Sequence, residues 1–342
     1  MIYPLLRKCL FQFKPETAHR ISLTVLQLLY KLQLTRLFPQ VSAPCNVMGL
    51  SFANPIGLAA GLDKNGDYID ALASLGFGFI EIGTVTPRPQ PGNLPPRLFR
   101  LSEQQALINR LGFNNKGIDY VVERLKQTKY QGVLGVNIGK NKDTPLEKAV
   151  EDYVFAFQRV APYASYVTLN ISSPNTPQLR QLQESELLKV LLKTLKQAQA
   201  NVFQIQNKYV PLVVKISPDV NAEELTTMAT IFLEEKIDGV IATNTTLTRP
   251  SVDGLPYAGE EGGLSGPPLN HLSTKIIKQL HALLKENIPI IGCGGIASAR
   301  DVIEKRQAGA KLIQVYTSLI YQGPGLIKHL YSTVTDFARF RG

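Results

Sequence analysis

The chain has 342 residues, of which 44% are hydrophobic, enough for one large α/β domain with a small appendage or for two modest domains with a sizeable core. Its three cysteines, Cys9, Cys45 and Cys293, are odd in number, far apart and without a C-x-x-C pair, which argues against a disulfide framework and a thiolate zinc site and suits a reducing compartment. The net charge of +10 is uneven: residues 1–40 carry six basic residues against the single acid Glu16, half of the total.

The first forty residues predict a helical hairpin. Met1 to Phe13 forms the first arm, Lys14-Pro15-Glu16 the turn, and Thr17 to Phe38 the second arm, where Arg20, Thr24, Gln27, Lys31 and Thr35 fall in one narrow polar stripe. The longest uncharged run, Ile21 to Tyr30, is ten residues, about half of what a spanning helix needs. No small-residue cleavage site follows it, so a secretory signal is not expected either. Two readings remain open from periodicity: a helix packed on the main domain, or an amphipathic hairpin lying in the interface of an anionic membrane.

Beyond residue 50 one theme repeats, a short apolar run ending in a polar tip and followed by a helical pattern. The runs are Asn54–Gly61, Phe77–Thr86, Gly132–Lys140, Tyr166–Asn175, Pro211–Pro218, Gly239–Thr245, Ile288–Ile296 and Leu312–Ile320. Eight such units predict an α/β fold with a closed (β/α)8 TIM barrel at residues 41–342, behind a hairpin domain at 1–40. A doubly wound open sheet is the rival, but GLAAGLDKNG is not the G-x-G-x-x-G turn it would usually carry. Long Pro- and Gly-rich inserts after the second and sixth strands are expected to be ordered loops over the barrel mouth.

In such a barrel the strand tips build one surface. They are Lys64, Thr84, Asn137, Asn170 with Ser173 and Asn175, Lys215, Asn244 with Thr245, Gly294 with Gly295, and Tyr316 with Thr317. Amides, hydroxyls and two lysines with almost no carboxylates suit a planar, oxygen-rich, anionic ligand. GCGG at 292–295 and YTS at 316–318 close the last two strands, where barrels commonly hold a phosphate with backbone N–H groups. A lone lysine such as Lys215 is usually just exposed; among seven other converging tips it reads as functional, and beside a flavin ring it would stabilise developing negative charge. The four histidines lie off the tips and no carboxylates pair, so no His-based triad, metal cluster or glycosidase-type dyad is expected.

GLAAGLDKNG, IEIGTVTPRPQPGNLPPRLFR, INRLGFNN, VNIGKNKDT, NISSPNTPQLR, VKISPD, ATNTT, GGLSGPP, IGCGGI and QVYTSLI, in this order, closely resemble the membrane-associated, quinone-reducing class of the dihydroorotate dehydrogenase family. The resemblance runs from the hairpin almost to the C-terminus. It implies an FMN-containing barrel that oxidises dihydroorotate to orotate in pyrimidine biosynthesis, passing a hydride from C6 to the flavin while a base takes the C5 proton. Ser173 would be that base, with Thr176 and Phe113 in the positions of its proton relay; the soluble class has a cysteine there. Orotate would be held by Lys64, by Asn109, Arg110, Leu111, Gly112 and Phe113, by Asn170 and Asn175, and by Asn244 with Thr245. FMN, one per chain, would be held by Ala60, Gly61, Lys64, Thr84, Asn137, Asn170, Lys215, Thr243, Gly266, Gly295, Tyr316 and Thr317. His19 and Arg100 would line the inner end of a quinone tunnel. A monomer at the cytoplasmic face of a bacterial inner membrane, binding an anionic surface and no nucleic acid, completes the expectation.

Two rival functions differ in what they need. A tRNA dihydrouridine synthase would use a catalytic cysteine and spread its charge over an aromatic-studded RNA platform, not an apolar hairpin. A peripheral membrane scaffold would have no use for polar residues at nearly every strand tip.

Overall fold

The computed structural model describes residues 2–38 and 40–331; the remainder of the expected barrel domain, 332–342, lies outside them. The hairpin is α1 (Ile2–Leu10) and α2 (Pro15–Lys31), followed by a 3-10 turn at Leu34–Leu37. The break between the helices falls at residues 11–14, earlier than expected, because Pro15 opens α2: its fixed φ suits the first helical position, where no N–H is needed. No helix among the described residues is long and apolar enough to cross a membrane.

The chain then makes a short hairpin, β1 (Cys45–Val47) and β2 (Leu50–Phe52), and enters the barrel with β3 (Ile56–Leu58), α3 (Ile69–Ala73) and β4 (Phe79–Val85). The first insert contributes β5 (Leu98–Leu101) and β6 (Ala106–Asn109), after which come α4 (Ile118–Gln127), β7 (Val133–Ile138), α5 (Ala149–Val160), β8 (Tyr166–Asn170), α6 (Ser185–Gln206), β9 (Leu212–Ile216), α7 (Ala222–Glu234) and β10 (Gly239–Ala242). The second insert supplies β11 (Gly263–Ser265), and α8 (Asn270–Leu284), β12 (Ile290–Cys293), α9 (Ala299–Gln307), β13 (Ala310–Val315), α10 (Thr317–Gln322) and α11 (Leu326–Tyr331) complete the fold.

Eight parallel strands close in the order β3-β4-β7-β8-β9-β10-β12-β13, the expected barrel. Its strands are shorter than their apolar runs. β8 stops at Asn170, so ISSPN is loop, and β13 stops at Val315, with Thr317–Gln322 turning helical. Period-two alternation sorts the side chains: on β4, Ile80 and Ile82 join the large cluster under the helices, while Phe79 joins Phe52, Tyr166 and Leu312 inside the barrel. Phe52 of the β1–β2 hairpin meets Phe79 edge-on at 5.1 Å and closes the bottom.

The inserts are more than loops. β5, β6 and β11 pair antiparallel into a three-stranded sheet of their own above the mouth. The hairpin docks beside it: the Tyr3 hydroxyl donates to the Ile320 carbonyl at 2.6 Å, Arg7 Nη1 donates to the Tyr321 carbonyl at 2.7 Å, and the Phe11 ring stands edge-on to Tyr321 at 5.5 Å.

Candidate active site

A polar cavity sits in the barrel mouth, roofed by residues of the insert sheet. Lys64 enters it on the turn after β3. That turn is shaped by the buried Asp63, whose carboxylate accepts from the backbone N–H of Asn65, Asp67 and Tyr68 at 3.3, 3.0 and 2.7 Å. Burial, and then the positive charge of Arg97, push the Lys64 amine down to about 8, with Glu16 opposing.

The cavity floor is an amide–hydroxyl network. Asn170 Nδ2 donates to Thr84 Oγ1 at 2.9 Å, Thr84 Oγ1 donates to Asn137 Oδ1 at 2.6 Å, and Asn137 Nδ2 donates to Glu81 Oε1 at 2.8 Å. Asn137 therefore lies beneath Thr84 and outside the cavity lining, positioning the residues above it. Glu81 is fully buried inside the barrel, where Tyr166, Thr168 and Gln314 also donate to it. Strand-tip reasoning missed Glu81 and Gln314. A lone carboxylate at even spacing from Phe79 was the available signal, since it had to face the barrel axis.

The loop after β8 separates its two serines. Ser172 is fully buried and donates to the Lys215 carbonyl at 2.6 Å, while Asn244 Nδ2 donates to it at 3.0 Å. Ser173 lines the cavity, its hydroxyl accepting from the Asn175 backbone N–H at 3.3 Å. Thr176 does not line the cavity; it is buried behind it, with a hydroxyl that has no hydrogen-bond partner among the described residues. Asn175 Nδ2 donates to Asn109 Oδ1 at 3.2 Å, joining the β8 loop to the lid.

From the lid, Asn109, Leu111, Gly112 and Phe113 reach the cavity. Arg110 does not: its guanidinium turns outward, donating to Glu260 Oε2 at 2.6 Å and covering the Phe99 ring at 4.6 Å. Side chains alternate along an extended segment, so Arg110 points away from what its neighbours face. β11 can lie close over the β10 tip because Gly263 has no Cβ; one there would fall 1.9 Å from Thr245 Oγ1.

The remaining expected residues, Ala60, Gly61, Lys215, Thr243, Asn244, Thr245, Gly266, Gly295, Tyr316 and Thr317, all line the same cavity. Ser318 of the expected YTS turn lines it too, and residues not anticipated join them, including Gln314 and Ser265, which accepts from Thr317 Oγ1 at 2.8 Å.

These residues fit a flavin on three observations. Gln314 Oε1 and Ser318 Oγ are buried at the cavity wall with no protein partner among the described residues, although buried polar atoms are almost always paired. Gly295 has φ +75°, and a Cβ there would fall 2.2 Å from the backbone of Asn270; only glycine lets the chain turn there with its amide free for a phosphate. The wall itself is rich in hydroxyls and backbone amides, with two cations, Lys64 and Lys215, in the lining.

A second, apolar cavity lies between the hairpin and the barrel. Leu98, Leu107 and Tyr316 line both cavities, so one layer of side chains separates them. His19 and Arg100 are the polar exceptions in its lining alongside hydroxyls. Burial first, and then the charge of Lys64, push His19 down to about 4, which leaves a neutral imidazole at physiological pH. Arg100 stacks on Phe11 at 4.4 Å, donates to the Phe13 carbonyl, and keeps a buried Nη1 without a partner among the described residues.

Comparison with known proteins agrees with this geometry. The model of a family described as dihydroorotate dehydrogenase matches residues 42–337. A Nitrosospira multiformis protein named dihydroorotate dehydrogenase (quinone) is 54% identical over 330 residues, covering 96% of this chain and 94% of its own. An Acinetobacter baumannii protein of the same name is 52% identical over 335 residues, covering 98% and 100%. Among solved structures, dihydroorotate dehydrogenase from Eimeria tenella in complex with ferulenol superposes with a TM-score of 0.87 at 36% identity, over 96% of this chain and 92% of that one. The chain belongs to the dihydroorotate dehydrogenase family, in its quinone-dependent class.

Proposed function

We propose that the protein oxidises dihydroorotate to orotate in pyrimidine biosynthesis, using FMN in the barrel-mouth cavity and a membrane quinone in the apolar cavity beneath the hairpin. The observation that carries this reading is the shared wall: a polar cavity suited to an anionic ring and an apolar one suited to a quinone meet across Leu98, Leu107 and Tyr316.

FMN would be held by Ala60, Gly61, Lys64, Thr84, Asn170, Lys215, Thr243, Gly266, Gly295, Tyr316 and Thr317, with Asn137 supporting from below. When bound it supplies the redox chemistry, taking a hydride from the substrate and passing electrons on to quinone. The chain does the rest. Lys64 offers a positive charge to the substrate carboxylate, and Asn109, Asn170, Asn175 and Asn244, which can each donate and accept, read the ring edge.

Ser173 takes the substrate proton. A serine hydroxyl is a weak base and must hand its own proton on as it accepts another. Thr176, three residues along the same loop and buried with a hydroxyl that has no partner among the described residues, would relay that proton onward by giving up its own, and Phe113 helps exclude water from the cavity. The neutral His19 and the free Nη1 of Arg100 offer hydrogen bonds to a quinone carbonyl in otherwise apolar surroundings.

Residues 1–40 act as the membrane-docking unit and 41–342 as the catalytic barrel. Leu5, Leu6, Phe13, Val25, Leu28, Leu32, Leu34 and Leu37 are exposed on a basic hairpin, a combination that favours an anionic bilayer surface. A monomer bound peripherally at the cytoplasmic face of a bacterial membrane is the assembly proposed. The decisive experiment is anaerobic mixing of the purified protein with dihydroorotate. The yellow flavin should bleach and recover on adding a quinone; a protein that binds no flavin refutes the reading.

A further inference from the structure

The hairpin and the substrate loops are joined by one ion pair that quinone access does not require. Glu16, in the first turn of α2, accepts from Arg97 Nε at 3.1 Å on each carboxylate oxygen and from Arg97 Nη2 at 2.9 Å. The other side of the same guanidinium faces the lid: Nη1 donates to the carbonyls of Pro91 at 2.6 Å and Asn93 at 2.8 Å. Asn93 then holds the substrate segments directly. Its Nδ2 donates to the Arg110 carbonyl at 2.9 Å and the Asn175 carbonyl at 3.3 Å. Its backbone N–H donates to the Leu111 carbonyl at 3.1 Å, and the Arg110 N–H returns to the Arg97 carbonyl at 2.9 Å. Gly112 packs on Asn93 so tightly that a Cβ there would fall 2.8 Å from Asn93 Cγ.

The ion pair itself is short and partly shielded, with 12% of the Arg97 side chain and 37% of the Glu16 side chain exposed. A guanidinium is planar, so a carboxylate gripping one edge fixes where the other edge points. We propose that Glu16 and Arg97 make the membrane hairpin a structural part of the dihydroorotate site: Glu16 orients Arg97, and Arg97 is a positioning residue for Asn93, and through it for the 109–113 loop and Asn175. The hairpin thus serves the first half-reaction as well as the second. Substrate affinity and hairpin seating are then linked in both directions, as any two coupled equilibria must be. This inference rests on the reading of the polar cavity as the dihydroorotate site.

At pH 6, where Lys64 is protonated with or without Glu16, electrostatics alone predicts the opposite sign. Glu16 is an anion near a site for an anion, so removing its charge at that pH without disturbing geometry would strengthen orotate binding. Titrating flavin-loaded full-length protein with orotate by calorimetry at that pH separates the two. Glu16→Gln and Arg97→Lys should each weaken orotate about three- to thirtyfold, the range for coupling through a shared network. Arg20→Gln, which removes a charge from an exposed hairpin position, should bind like the wild type.

In the same two variants the half-saturating dihydroorotate concentration for flavin reduction should rise, with the limiting rate within about twofold of wild type. Backbone hydrogen exchange should speed up at Asn93 and Arg110. Unchanged or tighter orotate binding in Glu16→Gln overturns the proposal, and so does weaker binding with wild-type exchange at those amides. A wild-type protein that does not bind orotate would instead refute the functional reading beneath it.

Discussion

The two cavities meet at one wall and are built on opposite principles. The polar one collects residues from seven of the eight strand ends and from the lid, with Asn137 of the eighth supporting from below, and its amides and hydroxyls are tied into a hydrogen-bond network. The apolar one is lined by leucines of two amphipathic helices and the barrel flank, with His19 and Arg100 set among them. Chemistry on the substrate carbons demands fixed donors and acceptors, whereas admitting a greasy electron acceptor demands little more than apolar surface and an entrance. The comparison teaches that the same fold can place a specific site and a permissive one a single residue layer apart.

The sharpest way to break that contrast is Ser173→Ala. Loss of the base should slow flavin reduction by dihydroorotate about 10²–10⁴-fold, as measured by anaerobic stopped-flow, while orotate binding and flavin content persist. Equal rates would remove Ser173 from its role. On the other side of the wall, Arg100→Ala should slow reoxidation by quinone about 10- to 100-fold, the effect of losing a hydrogen bond from a charged donor in apolar surroundings. Flavin reduction should be spared, and an equal loss in both half-reactions would show that the cavities are not separable.

Proton concentration probes the polar site alone. Lys64 titrates at about 8 in the ligand-free protein, held below its ordinary value by burial and Arg97. Its charged form, the proposed partner of the orotate carboxylate, dominates below that pH and is lost above it. Orotate affinity should therefore be flat from pH 6 to about 7.5 and fall by about tenfold toward pH 9.5. A Lys64→Met protein should bind weakly at every pH with no such decline, and an unchanged slope in that variant would assign the titration elsewhere. The smallest effect is expected at the outer edge of the apolar region. Leu37 is 83% exposed, so Leu37→Gln should change folding stability by no more than about 0.5 kcal/mol. It should reduce binding to anionic vesicles severalfold in a flotation assay, and unaltered vesicle binding would place the membrane contact on another face.

Much of this is legible in the sequence alone. Alternating apolar runs and helical patterns demanded a parallel barrel, and in a barrel the residue just past each run must face the mouth, which is how Lys64, Asn170, Lys215 and Asn244 could be assembled from distant stretches. The proposed base was less legible from pattern alone, because NISSPNT offers two adjacent serines. Resemblance singled out Ser173, and the structure separates the pair physically, turning Ser172 into the buried bond to the Lys215 carbonyl. The lid sheet was not legible. Its strands are three or four residues long and set among prolines and glycines, so they carry no period of their own and exist only because β6 finds β5 on one side and β11 on the other.

Local rules therefore determined the barrel, the hairpin and the roster of polar tips, because spacing and polarity act within a few residues of chain. Tertiary structure alone decided where each side chain points within that frame. It turned Arg110 outward to Glu260, sank Asn137 onto Glu81, left the Thr176 hydroxyl unpartnered behind Ser173, and brought Glu16 to Arg97 across 81 positions of sequence. Those outcomes depend on which partner reaches a hydrogen-bonding group first in a packed interior. No window of sequence contains that competition.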